Sequence, residues 1–169
     1  MGMIMLRGTG GAWWLPTVAD QTETTGGPTP SEITAGQELH AAITEITGLE
    51  PSRSPINIPL LKYKSEAQID GPTQFSQITI GIPDEDGLDT DDDATQRMAA
   101  LTSMPKATSG VLLLSRTKQV LVADDEVWFI ALGIDDQVPL FDLGAAFART
   151  NIIGSPTTPL TKGVVLTGI

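Results

Sequence analysis

The chain has no cysteine, which excludes disulfides and thiol chemistry and leaves its stability to packing or to assembly with other chains. Histidine is almost as scarce. His40 stands alone, so no histidine–cysteine ligand pattern for zinc can form around it. Basic residues are few: 10 Lys and Arg stand against 21 Asp and Glu, giving a formal charge of −11 and a pI near 4.3. That balance argues against stable nucleic-acid binding, where affinity rests on cations displacing counterions from phosphate. No apolar run approaches the ~20 residues of a membrane-spanning helix. Met3-Ile4-Met5-Leu6, ahead of Arg7, is too short for a secretory signal core, so residues 1–11 are expected to be a loose amino-terminal arm on a cytosolic product.

Catalytic patterns are missing as well. No Gly-x-Ser-x-Gly elbow occurs, and no glycine-rich loop ends in Gly-Lys-Ser or Gly-Lys-Thr. His40 has no evident nucleophile and is expected to be an ordinary surface histidine. The reading is therefore that the protein is not an enzyme, with no catalytic, cofactor or metal residues to assign.

What is present points to β-structure. Seventeen Gly and 12 Pro residues separate short runs of Val, Ile, Leu and Thr, a pattern of one mainly β domain, sandwich or barrel, with a helix or two attached. Ile78, Ile80 and Ile82 alternate with Thr79 and Gly81 in one strand, and Gly110–Leu114 is apolar on both faces. Between these strands, residues 84–93 hold seven carboxylates and lead into a helix over about 91–104, with Met98, Leu101 and Met104 as its apolar stripe and Pro105 as its stop. Calcium does not fit those acids. An EF-hand register from Asp84 puts Leu88 at a ligand position, and one from Asp89 puts Ala94 at the glycine position and Ala100 at the final glutamate.

Elsewhere the chain predicts further strands. Trp13 and Trp14 lie on a short strand closed by Pro16 and point to opposite faces, so one fills the core and the other needs a second cover, either a partner or this chain's own loops. Thr17–Pro30 reads as a long surface loop, and Ser31–Gly36 as one helical turn. Residues 38–47 fit a strand and a short helix equally. Leu61–Ile69 alternates Leu61, Tyr63, Ala67 and Ile69 with Lys62, Lys64, Glu66 and Gln68, and is expected to form a long hairpin with Phe75–Ile82. Val120–Val122 reads as strand, Val127–Ile134 as the central buried strand and Phe141–Arg149 as the last long one. The division expected is an arm over 1–11, a domain over 12–151 and an extension over 152–169.

The order of these pieces resembles the tail tube (major tail) proteins of long-tailed bacteriophages, the non-contractile kind common in actinobacterial phages and prophages. The resemblance is carried by Pro16-Thr-Val-Ala-Asp20, Pro30-Ser-Glu-Ile-Thr-Ala-Gly36, Thr47-Gly48-Leu49, the turn at Ile69-Asp-Gly-Pro-Thr73, and an acidic loop before a helix and an apolar strand. It covers most of residues 12–150, with the paired tryptophans and the length of 84–93 as departures. It implies a virion tail subunit made in the host cytoplasm that forms stacked hexameric rings around a channel for phage DNA. Its partners would be further copies of itself, the tape measure protein and the tail terminator, with no cofactor and no membrane. The expected inter-subunit contacts are Trp13, Trp14, Leu61, Lys62, Tyr63, Lys64, Glu66 and Gln68. The competing expectation is a carbohydrate- or protein-binding β module of the virion, for which Trp13, Trp14 and Tyr63 would supply an aromatic platform.

Overall fold

The computed structural model describes residues 10–22, 24–53, 56–59, 66–69, 73–84, 92–140 and 148–167. In chain order they form β1 (Gly11–Leu15), α1 (Pro30–Ala35), β2 (Gln37–Glu38), β3 (Glu45–Thr47), β4 (Pro51–Arg53), β5 (Ile56–Pro59), β6 (Glu66–Ile69), β7 (Thr73–Phe75), β8 (Ile78–Pro83), α2 (Asp92–Ser103), β9 (Ser109–Ser115), β10 (Glu126–Leu140), β11 (Arg149–Pro156) and β12 (Thr161–Val164). The fold is mainly β, as expected.

Eight strands make one antiparallel sheet in the order β2-β1-β9-β10-β11-β8-β3, with β12 also pairing β10. The outermost strands of that path, β2 and β3, are neighbours in sequence. Laid flat, six strand spacings would separate them by ~29 Å. The link from Glu38 to Glu45 spans at most ~25 Å even fully extended. It is not extended, because Ala42 N and Ile43 N both donate to Leu39 O, at 2.9 and 3.0 Å. The sheet must therefore curl until its two edges approach each other, and Leu39 and Ala42 of the link, with Ile46 of β3, are buried in the interior this creates.

Strand alternation then sorts the apolar residues into two cores. The inner one takes Trp14, Leu112, Leu114, Ile130, Leu132, Ile134, Ile152 and the three isoleucines of β8, and is covered by α2 through Ala100 and Met104. The outer one takes Trp13, Leu15, Val111, Leu113, Val127 and Phe129, covered by Val18 and Val165. The outer face of β3, β8 and β11 is polar instead, with Arg149 donating to Glu45 at 2.9 Å.

Residues 24–28 run alongside the outer edge of β12. Thr24 N donates to Lys162 O at 2.7 Å, Val164 N to Gly26 O at 3.1 Å and Leu166 N to Pro28 O at 2.9 Å. The approach is so close that a β-carbon on Gly27 would lie 2.0 Å from Val164 O, which only glycine avoids. The surface loop expected from turn-forming residues thus seals a strand edge.

α1 is the expected turn, ended at Gly36, but its cap is Thr29 rather than Ser31. Thr29 Oγ1 accepts from Glu32 N at 3.3 Å, while the Glu32 carboxylate accepts from Thr29 N at 2.7 Å and from Ala19 N at 2.8 Å. Partial burial disfavours the Glu32 charge, but the hydrogen bonds from Thr29 and Ala19 outweigh it and hold the carboxyl below the ordinary glutamate value. A depressed folded pKa stabilises above the unfolded value of 4.5 and is lost as pH falls through the folded one. Glu32→Gln should accordingly lower Tm at pH 7, by the equivalent of about 1 kcal/mol, and the gap to wild type should narrow as the melting buffer is acidified below that value. A gap independent of pH would show that the charge is not what matters.

Several expectations are corrected. Residues 38–47 are neither one strand nor one helix, but two short strands around a turn. In α2, Met98 is 49% exposed, and the buried positions are Ala94, Ala100 and Met104. A strict three-residue spacing drifts around a helix of 3.6 residues per turn, so Met98 and Met104 cannot share the buried face. Val120–Val122 form no strand; Val120 and Val122 are 80% and 57% exposed. From Ile152 onward the chain contributes to the main sheet, with β11 between β10 and β8 and β12 paired with β10. The strand expected over Phe141–Arg149 falls mostly outside the described residues, and Arg149 opens β11. His40 is not an ordinary surface residue, as described below.

Candidate assembly surfaces

Trp13 pairs with Glu38 on β2 and Leu113 on β9, and Trp14 with Gln37 and Leu112. The two indoles do point to opposite faces, one into each core, and are only 2% and 3% exposed. Trp13 meets the ring of His40 edge to face, with centroids 5.9 Å apart. Space for it comes from Gly11, where a β-carbon would lie 2.2 Å from the indole. His40 is therefore a packed ring with Nε2 3.8 Å from the Glu38 carboxylate and Nδ1 buried without a hydrogen-bond partner. Trp14 lies across Gly110 in the same manner. The chain's own residues provide the second cover, so neither tryptophan offers a platform for a sugar. Nor is β1 a free edge: β2 pairs with Trp13 and Trp14, and Leu39 N donates to Ala12 O at 2.8 Å.

The second expected contact region folds differently from its expectation. β6 does not pair with β8. It pairs with β5, Ile56 opposite Ile69 and Pro59 opposite Glu66, while β7 pairs with β4, Pro51 opposite Phe75 and Arg53 opposite Thr73. β8 pairs instead with β11 and β3. Alternation marks the strands but not their partners, and the prolines at 51 and 59 do not prevent pairing here. A two-stranded ladder leaves one side of each strand unpaired, where a missing N–H costs nothing. β4 and β5 are thus the outgoing limb and β6 and β7 the return limb of a hairpin that, among the described residues, pairs with no strand of the main sheet. Glu66 and Gln68 stand on its return limb, opposite Pro59 and Asn57. Leu61, Lys62, Tyr63 and Lys64 lie outside the described residues.

Of the acidic run, Asp84 is described: its carboxylate accepts from Thr150 Oγ1 at 2.6 Å and its N–H donates to Ala148 O at 3.0 Å. Among the described residues no group of His, Asp and Glu is arranged to hold a metal ion. Sequence reasoning missed Gln137, whose amide donates to Leu101 O at 2.7 Å and Met104 O at 2.9 Å and so caps the C-terminal carbonyls of α2. It also missed Asp135, an exposed carboxylate held below its ordinary value by hydrogen bonds from Ser155 and Gln77 across three strands' ends. Neither has a local sequence signal, because each partner lies 20 or more residues away.

A curled sheet with the side of β12 taken by residues 24–28, and a hairpin that among the described residues pairs with no strand of that sheet, define a β subunit with strands left to pair. The chain belongs to the phage tail tube protein family, whose model matches residues 3–168. It is therefore a structural subunit of the phage tail and not an enzyme, and proteins of this kind oligomerise into a tube. Among solved structures, it is similar to a chain in the cryo-EM structure of an extracellular contractile injection system, the PVC sheath–tube complex in the extended state. That match has 14% identity and a TM-score of 0.47, over 73% of this chain and 81% of the other. No curated protein matches the chain.

Proposed function

We propose that the subunit closes into hexameric rings that stack into a hollow tube through which phage DNA passes during ejection, in a tail of the non-contractile kind. The observation that carries this reading is the family match over residues 3–168, combined with a hairpin that has unpaired outer sides. Backbone groups on those sides gain partners when a neighbouring copy adds a strand. Repetition of one head-to-tail contact around an axis closes a ring. Lys62, Tyr63, Lys64, Glu66 and Gln68 on and near the return limb are the contacts we assign to that junction. A net charge of −11 disfavours adhesion of DNA to the wall, so the genome slides rather than binds. Assembly takes place in the host cytoplasm, with the tape measure protein and the tail terminator setting where the tube begins and ends.

Negative-stain electron microscopy of the purified chain at high concentration tests this. Rings or tubes with a central hole and sixfold class averages are expected. A chain that stays solitary at every concentration and salt overturns the reading.

A further inference from the structure

At one end of β1 and β9 the molecule is recessed. Trp14, Pro16, Ala35 and Gly36 line the apolar part of an open groove of about 280 Å³, where the end of α1 meets the ends of the two strands, and Gln37, Ser103, Thr108 and Ser109 line the rest. That is just under the ~300 Å³ at which small-molecule sites begin, and its apolar part suits the side chains of a short apolar segment. At the other end, where Gly11 pairs with Ser115, the molecule presents apolar groups instead. The loop after β9 displays Val120 and Val122, 80% and 57% exposed, and is held in shape by the Lys118–Asp125 ion pair and by Val122 N donating to the Asp125 carboxylate at 2.9 Å. Residues 1–9 join the molecule at this same end, and among them Met3-Ile4-Met5-Leu6 is an apolar run.

We propose that Met3–Leu6 of one copy occupies the groove of the next copy along the tube, so that successive rings are linked by a segment passed from the Gly11 end of one subunit to the Leu15 end of its neighbour. This rests on the tail tube reading above. Chain length and route choose the occupant. Leu6 lies within ~17 Å of Gly11 and Met3 within ~28 Å, whereas the groove of the same subunit lies ~13 Å back along β1. To reach its own groove the segment would have to reverse along β1, whose two sides are taken by β2 and β9 and whose two faces are buried beneath Trp13 and Trp14. A subunit stacked head to tail along β1 places its groove beyond the Gly11 end, the end at which residues 1–9 are joined. Such a contact is heterologous and does not close, which is the property a tube needs along its axis.

The absence of native cysteine makes a direct test clean. In the full chain carrying Met5→Cys and Ser109→Cys, mild oxidation of assembled material should give a ladder of covalent oligomers, which reduction collapses to monomer. Ala35→Arg, at an exposed position on the groove, should leave the melting temperature unchanged while raising the concentration needed for tubes ~tenfold or more. A cross-link confined to monomers would place the segment in its own subunit's groove and overturn the proposal. So would tubes that form normally with no cross-link, although these would leave the tail tube reading intact. Failure of the unmodified chain to assemble at all would remove the reading itself.

Discussion

Trp13→Ala lowers the stability of the subunit by about 3–5 kcal/mol, the range for removing a buried aromatic ring from a packed core. The ring is 2% exposed, lies over Gly11 and packs edge to face against His40, so its removal leaves a cavity in the outer core. Folded domains are stable by about 5–15 kcal/mol in all, so the variant stands near the limit of folding. At this chain length each kcal/mol moves Tm by about 2–4 °C, and calorimetry should record a fall of roughly 6–20 °C. Val120→Ser, at a position 80% exposed, should change Tm by no more than a degree or two. A small shift for Trp13→Ala would mean that the outer core does not depend on this ring.

The second large effect is on assembly rather than folding. Pro51 and Phe75 face each other across the ladder, so a two-residue turn can replace residues 52–74 without straining the body. Among the described residues, the excised limbs pair with no strand of the main sheet. The shortened chain should melt within a few degrees of wild type and remain a monomer in sedimentation velocity at concentrations where wild type polymerises. Tubes formed by the shortened chain would show that subunits join through another surface.

Much of the fold was legible in local patterns. Alternation marked β8, β9 and β10, the acids and Pro105 bracketed α2, and Gly36 ended α1. These signals succeed because the physics behind them is local: strand periodicity, helix capping and the backbone limits of Pro and Gly. What was not legible is pairing. Nothing in Ile78–Ile82 states that its neighbours are residues 149–154 and 45–47, and nothing in Trp13-Trp14 states that Gln37–Glu38 will border them. The same gap explains the assembly surface. Alternation marked a strand over 61–69 but gave it the wrong ladder, with β8 instead of β5, since several partners satisfy the same alternation and tertiary packing makes the choice.

The curl that brings β2 and β3 towards each other has a bearing on how a cell handles this protein. A phage needs many copies of its tail subunit in solution before a tail begins, and crowded β proteins with open margins form amorphous clumps. With β2 and β3 linked by residues 39–44 and the side of β12 occupied by 24–28, these margins of the main sheet are withdrawn from indiscriminate strand addition, which favours ordered growth over clumping.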